Sequence, residues 1–355
     1  MNSKPSVSAE TVTDPYFRKN RVKSIWFLIA LSLGLIAAFF VSLRCGSYST
    51  SLIELVRAVF GMASDPKINL VVQNNRLPRI CTAIIAGAGF GITGCVLQAI
   101  LNNPLASSST LGVSQGASFG AAFAIVVLKM GSVGNLGNLA VPLCAFIGSI
   151  SVALVILGLS KFRHISPEGI VLAGVAISAM FTGASTLIQY FADEVELNTL
   201  VFWTFGNLGN TGWADVGKIA AVVLLVSFYF FCHRWDYNAL LSGEDTAISL
   251  GINVRRLTLV NMLLCCLSSS VIVSYIGLIN FIGLVAPHIA RLVVGNNHVF
   301  LLPCSALAGA LLLLLGDLAA RLIISPVVLP IGAITSFLGG PLFLYLLFRG
   351  EKDKC

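Results

Sequence analysis

Six long runs of apolar residues constrain the fold of this chain more than any other feature. Each run is close to the roughly 17 to 25 residues that cross a bilayer as a helix. The chain is 57% hydrophobic and only 10% charged, whereas an ordinary soluble domain contains about 25% charged residues. A soluble core could not bury this much apolar sequence, so the chain is expected to lie in a membrane. The runs are 24–43, 80–101, 139–160, 169–191, 216–232 and 300–315.

The hydropathy pattern predicts an all-α, polytopic membrane bundle of about ten transmembrane helices. We place it in one domain at 24–349, between an N-terminal tail at 1–23 and a C-terminal tail at 350–355. The first helix is expected to be retained, because a long polar lead precedes it and no small-residue cleavage pattern follows it. The predicted helices are 24–43, 80–101, 111–129, 139–160, 168–191, 215–233, 257–277, 279–294, 299–320 and 329–348.

The distribution of basic residues predicts that both termini are cytosolic. In this orientation 14 of the 22 Lys and Arg residues fall on the cytosolic side, in agreement with the positive-inside rule. The loop 192–214 has three acidic residues and no Lys or Arg, which fits the outer side. The segment 44–79 is also predicted to be outside, yet it is basic. Either the topology differs there, or its arginines have a function outside.

The longest predicted cytosolic connection is 234–256. Within it, Ser242 and Gly243 resemble a helix cap, acidic first-turn residues follow, and Gly251 is a stop signal. Apolar residues such as Ala247 lie between these signals. The pattern predicts a short amphipathic helix outside the bilayer. It is either a solvated turn or a docking element for a cytosolic partner.

Residues 112–116 read GVSQG, which is the spacing of a hydrolase nucleophile elbow. Such an elbow needs a buried strand before Ser114, and the preceding residues 102–110, NNPLASSST, would not form one. Asp236 and His288 follow in a workable order, but His288 lies in a predicted membrane helix. We therefore interpret the run as a cytosolic turn and the small-residue start of the third helix, with Ser114 replaceable.

Two nucleotide-like motifs are better explained by packing or coincidence. Residues 89–94 match G-x-G-x-x-G but lie inside an apolar run rather than at a strand-to-helix turn. Residues 212–218 have Walker A spacing, but Ile219 replaces the magnesium-binding Ser or Thr. No nucleotide site is predicted, so energy must come from a partner or an ion gradient. Glycines one turn apart, which allow close helix contacts, are Gly87, Gly91, Gly116 and Gly120.

Polar groups within the predicted membrane helices are few, and they include no chain of carboxylates that would suit an ion-driven pump. Asp317 and Arg321 are four residues apart, so a local ion pair is one explanation for them. The nine cysteines lie mostly in apolar runs and form no C-x-x-C pair, so we interpret them as packing residues and predict no metal site. The other polar groups are Gln98, Asn261, His288 and Arg291.

Several motifs then occur in order along nearly the whole chain. RLPR at 76–79 opens a helix, NPLA at 103–106 and LGV at 111–113 follow it, and LPIG at 329–332 comes near the end. Together they resemble the FecCD family of ABC importer permeases, the membrane subunits for iron-siderophore, haem and cobalamin uptake. Motif residues expected to have structural roles are Gln98, Asn103, Pro104, Gly112, Gly116, Gly283, Pro287, His288, Arg291, Asp317, Pro330 and Gly332.

This resemblance implies a type II ABC importer permease that carries an iron-siderophore or haem, with cobalamin the next choice. It implies a second permease subunit, expected to be an identical copy, two cytosolic ABC ATPases and an extracytoplasmic binding protein. The chain itself is expected to be no enzyme, to hold no cofactor and to bind no nucleic acid. It would be a multi-pass protein of the cytoplasmic membrane.

The resemblance also assigns roles to two groups of residues. Arg76, Arg79 and Arg321 match arginines that pair with acidic residues of the binding protein, which would explain the basic outer segment. The segment 240–256 resembles the coupling helices that contact the ATPase. The residues expected to do so are Leu240, Leu241, Ser242, Gly243, Glu244, Ala247, Leu250, Gly251, Arg255 and Arg256.

Two departures from the family pattern affect local contacts. Val328 stands where relatives usually carry an acidic residue, and the NPLA motif continues with serines at 107–109. The main alternative function is an ion-coupled secondary transporter, which would need a midplane carboxylate or a broken-helix cation site. The sequence offers neither. An intramembrane hydrolase based on Ser114 is a weaker alternative.

Overall fold

Helices account for all regular secondary structure in the part of the chain that the structure describes. Seven helices there are long and apolar enough to cross a membrane, and three shorter apolar helices accompany them. Together they match the ten predicted helices, so the all-α membrane bundle is confirmed. The structure is a computed structural model and describes residues 15–45, 51–130, 137–162, 167–324 and 327–352.

In the described residues, ten helices form the bundle and five short α-helices lie in their connections. The bundle helices are α1 Pro15–Arg44, α4 Leu77–Ile100, α5 Val113–Ala122, α6 Gly137–Phe162, α7 Pro167–Tyr190, α9 Trp213–Cys232, α12 Val254–Ile276, α13 Ile282–Val294, α14 His298–Leu322 and α15 Ile331–Lys352. The short helices are α2 Leu52–Val59, α3 Pro66–Val71, α8 Glu194–Thr204, α10 Arg234–Leu240 and α11 Glu244–Ser249.

The two ends of the chain are more helical than predicted. α1 begins at Pro15, inside the predicted tail 1–23, and α15 reaches Lys352. Hydropathy marks only the apolar part of a helix, whereas Lys and Arg in these extensions are good helix formers. The remaining parts of the predicted tails, 1–14 and 353–355, lie outside the described residues.

The eighth bundle helix begins later than the apolar pattern indicates. The backbone φ is +76° at Gly277 and +67° at Phe281, a left-handed conformation that a helix cannot contain. α13 therefore starts at Ile282 instead of residue 279. Phe281 packs against α15, because a Cβ added to Gly339 would lie 2.5 Å from the Cβ of Phe281.

α4 lies at the centre of the bundle. In the helical span Pro66–Ile100, which contains it, 78% of the 18-residue apolar stretch is buried. Its most extensive neighbour among the described helices is α14. A Cβ at Gly87 or Gly91 would collide with the α14 backbone, and one at Gly94 would overlap the carbonyl oxygen of Gly283. The glycines of the 89–94 motif therefore serve close helix packing, as predicted.

α5 packs against α6 through the second pair of spaced glycines. A Cβ at Gly116 would lie 2.5 Å from the carbonyl oxygen of Gly148, and one at Gly120 would overlap Cys144. α5 starts after Gly112, whose φ is +86°. Ser114 is buried in its first turn, and the residues before it form turns rather than a strand. The nucleophile-elbow interpretation is therefore rejected.

Candidate functional site

Arg76, Arg79, Asp317 and Arg321 form a cluster of charged side chains, here called the outer cluster, at the predicted outer end of the bundle. Asp317 is completely buried. Its Oδ1 accepts from Arg79 Nε at 2.8 Å and also lies 2.8 Å from Arg79 Nη2. Its Oδ2 lies 3.0 Å from Arg321 Nε, so the predicted i, i+4 ion pair is present. One carboxylate thus joins α4 to α14.

The outer cluster also holds the C-terminal end of α1. Arg76 Nη1 donates to the carbonyl oxygen of Leu43 at 2.8 Å, and Arg321 Nη1 donates to that of Cys45 at 2.8 Å. These carbonyls have no partner within the helix, because the last four backbone carbonyl groups of an α-helix have no intrahelical hydrogen-bond donor. Arg321 Nη2 also contacts the hydroxyl of Ser42.

The three arginines of the outer cluster are less exposed than side chains of a docking surface would be. The exposed fraction is 8% for the Arg76 residue, and for the side chains it is 16% in Arg79 and 12% in Arg321. Burial of cations is costly unless they are paired, and one carboxylate pairs with two of the three guanidinium groups, those of Arg79 and Arg321. The cluster is therefore locally positive, while most of the surface of its arginines is covered by the protein.

A cavity of about 1040 Å³ opens beside Arg79. Among the lining residues that the structure describes, the charged ones are Arg79, which pairs with Asp317, and Asp215, which pairs with Lys218 at 3.0 Å. Aliphatic side chains make up most of the remaining wall, together with aromatic rings and neutral polar side chains. The cavity therefore suits a large solute with extensive apolar or aromatic surface. Prominent lining residues are Phe202, Trp203, Phe205, Asn207, Asn210, Ser274, Tyr275 and Val328.

Three distant segments meet at glycines in the wall of this cavity. Gly206 has φ +74° and Gly277 has φ +76°, so both positions favour glycine. A Cβ at Gly332 would lie 2.6 Å from the carbonyl oxygen of Leu278 and 2.8 Å from that of Phe205. Sequence analysis did not identify the cavity. The only available signal was the set of glycine and proline motifs, whose convergence depends on the tertiary fold.

Several predicted motif residues have clear local roles at the predicted inner end. Arg291 Nη2 donates to Gln98 Oε1 at 2.8 Å, which joins α13 to α4. Asn103 Oδ1 accepts from the Leu105 amide at 2.9 Å and so fixes the turn at Pro104. Two further motif residues lie on α13. Pro287 is buried, and the His288 ring meets the Phe343 ring edge to face, with the ring centroids 6.2 Å apart.

The segment 234–256 contains two short helices rather than one. α10 was not predicted, while α11 occupies the predicted position, between Gly243 at φ +106° and Gly251 at φ +83°. Ala247, within α11, is fully buried. In contrast, Leu241, Ile248 and Leu250 expose 48%, 57% and 67% of their surface. A segment outside the apolar spans therefore presents an uncovered apolar face.

Comparison with known proteins places these features in a family. A model of the FecCD transport family matches residues 34–349. An ABC transporter permease protein of Methanocaldococcus jannaschii is 46% identical over 343 residues, which is 95% of this chain and 97% of the relative. The hemin transport system permease of Yersinia pestis is 33% identical, with 91% and 97% covered. The vitamin B12 import permease of Shigella boydii is 35% identical, with 94% and 98% covered.

The fold is similar to that of a solved membrane transporter. A metal-chelate type ABC transporter in an inward-facing conformation superposes with a TM-score of 0.80 at 31% identity. The match covers 91% of this chain and 98% of the other. The family model covers most of the chain, and the relatives match it over nearly their full length. The chain therefore belongs to the FecCD transport family.

Proposed function

We propose that this chain is the permease subunit of a binding-protein-dependent ABC importer for an iron-siderophore or haem, with cobalamin the next candidate. The full-length similarity to hemin and vitamin B12 permeases is the observation that carries this proposal. The chain makes and breaks no covalent bond, and a separate ATPase hydrolyses ATP. The large, mostly apolar cavity beside Arg79 supports a bulky chelate better than a bare ion.

The segment 240–256 is the proposed contact with the ATPase. Leu241, Ile248 and Leu250 form an uncovered apolar face at the predicted cytosolic end. Arg255 and Arg256 are exposed beside it. An apolar centre with a charged rim is the usual anatomy of a protein interface. ATP-driven closure of the ATPases would move this segment and switch the pathway between outward and inward opening.

The outer cluster is the proposed attachment point for the binding protein. It carries more positive than negative charge, and Arg79 and Arg321 retain small exposed fractions. Acidic groups on a partner would be attracted to it, which gives orientation and a faster encounter rather than tight binding. Most of the arginine surface is committed to internal contacts, so docking would draw on a limited part of each guanidinium.

A second copy of the chain is proposed to complete the pathway, with both termini in the cytosol. The competing function, an ion-coupled transporter, needs a carboxylate available to a proton or cation. Among the described residues of the bundle core, Asp317 is a fully buried acid, and two arginines already occupy it. This arrangement favours the ABC mechanism.

Reconstitution into proteoliposomes with the ATPase tests the function. Haem, a ferric siderophore and cobalamin, each loaded on the cognate binding protein, are the probes. We expect ATP-dependent uptake of one chelate class and none without ATP. Uptake driven by an ion gradient in the absence of the ATPase would overturn the proposal. The probe that the binding protein retains identifies the chelate.

The ATPase contact has its own test. Leu250→Asp places a charge in the centre of the exposed apolar face and should abolish co-purification of the ATPase. Asn296→Asp is the matched control, because it adds the same charge to an exposed loop between α13 and α14. Equal retention of the ATPase by the two variants would show that the contact lies elsewhere.

A further inference from the structure

A polar cluster with a buried centre joins the 234–256 segment to the bundle at the predicted inner end. It consists of Tyr237 and Asn238 on α10, Asn261 on α12, and Asn297 and His298 at the start of α14, and is here called the inner cluster. Tyr237 and Asn261 are completely buried, and His298 is 1% exposed. Buried polar groups are retained where they are hydrogen-bonded to one another.

The first connection runs from α10 to α12. Tyr237 Oη donates to Asn261 Oδ1 at 2.6 Å, and Asn261 Nδ2 donates to the carbonyl oxygen of Leu257 at 2.6 Å. The phenol therefore holds an amide that is itself fixed to its own helix. A shift of α10 along or across α12 would break a short bond that has no solvent to replace it.

The second connection runs from α10 to the first turn of α14. Asn238 Oδ1 accepts from the backbone amide of His298 at 2.8 Å and from its Nδ1 at 3.0 Å, which requires the proton on Nδ1. Asn238 Nδ2 donates to Asn297 Oδ1 at 3.1 Å, and Asn297 Oδ1 also caps α14 by accepting from Val299. The α14 N-terminus is thus held by a side chain of α10.

We propose that Tyr237 and Asn238 are positioning residues that transmit movement of the 240–256 segment to α12 and α14. The proposal rests on the ATPase contact proposed above, because α11 follows directly after α10 in the chain. A helix of 25 residues such as α14 is about 37 Å long. Its far end holds Asp317, which binds Arg79 in the wall of the outer cavity. Movement at the inner end can therefore reach the cavity through one packed helix.

The test compares Tyr237→Phe with Tyr229→Phe in the complete transporter in proteoliposomes. Both variants lose one phenol hydroxyl at the same end of the bundle, but Tyr229 lies on α9 outside the inner cluster. We expect Tyr237→Phe to retain the ATPase and to transport about fivefold less substrate per ATP hydrolysed. The control should keep the original ratio. Loss of the ATPase contact instead would be recognised by failure to co-purify, as in Leu250→Asp.

A double variant separates transmission from folding. Tyr237→Phe with Asn261→Leu removes both partners of the bond, which restores stability better than the single change does. We expect the double variant to assemble and to keep the low transport per ATP. An unchanged ratio in either assembled variant would overturn the proposal. Failure of both variants to assemble would also overturn it, since the bond would then serve folding alone.

Discussion

The two ends of α14 are fixed by opposite chemistry. At its outer end Asp317 is enclosed by the charged groups of Arg79 and Arg321. At its inner end His298 is held by the neutral amide of Asn238 and touches the ring of Tyr237. Asp317 and His298 are both buried, so water does not reach either side chain. Removing one partner of the ion pair at the charged end should be costly. At the neutral end, both partners of a hydrogen bond can be replaced together at a smaller cost.

This difference follows from the kind of buried group that is left unpaired at each end when its partner is removed. An unpaired buried charge loses hydration and Coulomb energy together. An unpaired buried amide or hydroxyl loses only a hydrogen bond and some solvation. The outer end is therefore expected to act as a fixed anchor, and the inner end as a joint that can transmit small displacements.

The largest expected effect is that of Asp317→Ala at the outer end. Removing the carboxylate leaves Arg79 and Arg321 without their shared counterion, which should lower the free energy of unfolding by about 3–5 kcal/mol. Thermal unfolding of the purified protein in detergent measures the loss. Asp215→Asn is the control, because its ion pair with Lys218 is partly exposed and should be worth about 1 kcal/mol or less.

A small effect of Asp317→Ala, similar to that of the control, would break the comparison. It would mean that the two arginines find water or other acceptors once the carboxylate is gone. The outer end would then be no more rigid than the inner end.

Sequence analysis predicted the outer end of α14 better than the inner end. The spacing of Asp317 and Arg321 predicts a contact on any helix, so their ion pair needed no knowledge of the fold. Arg79 lies more than two hundred residues away in the chain, and nothing local to it indicates Asp317. The ten helices followed from hydropathy for the same reason, because a long apolar run specifies a membrane helix without tertiary information.

Sequence analysis singled out Asn261 but missed the rest of the inner cluster, because those residues carry no local pattern. Tyr237 and Asn238 lie in the predicted cytosolic connection and His298 lies just before a predicted helix, where exposure would be expected. α10 is only seven residues long and gives too few turns for a hydropathy period. Only the packing of α10 against α4 and α14 brings these side chains together and buries them.

The next largest effect is expected in the middle of α14. In Gly309→Val, the added side chain would meet the carbonyl oxygen of Gly87 on α4, where even a Cβ overlaps. Overpacking against backbone should cost about 3 kcal/mol. It should also reduce ATP-dependent uptake if α14 moves as one body with α4. Gly316→Ala is the control, since the nearest atom to its added Cβ is a side-chain methyl of Thr335 at 3.6 Å.

A smaller effect is expected for Asn238→Ala at the inner end. The substitution leaves two donors of His298 without their partner, whereas Asn297 Oδ1 keeps its bond from the Val299 amide. We expect a loss of about 2 kcal/mol in unfolding free energy, below that of Asp317→Ala. Asn296→Ala, at an exposed neighbouring position, should change it little. If Asn238→Ala were the more damaging of the two end variants, the inner end would be the anchor instead.

The smallest effect is expected for Lys129→Ala, which tests whether burial or charge makes the outer cluster strong. Lys129 Nζ lies 2.9 Å from Glu196 Oε1 at the start of α8, with 72% of the lysine side chain exposed. An exposed ion pair contributes about 1 kcal/mol or less, so thermal unfolding should shift only slightly. Glu196→Ala should cost more, about 0.5–1.5 kcal/mol beyond the ion pair, because Glu196 also accepts from the Asp193 amide in the capping box of α8. Such an asymmetry within one ion pair would show that the stabilisation comes from the helix cap. A Lys129→Ala loss as large as that of Asp317→Ala would mean that charge alone, without burial, accounts for the strength of the outer cluster.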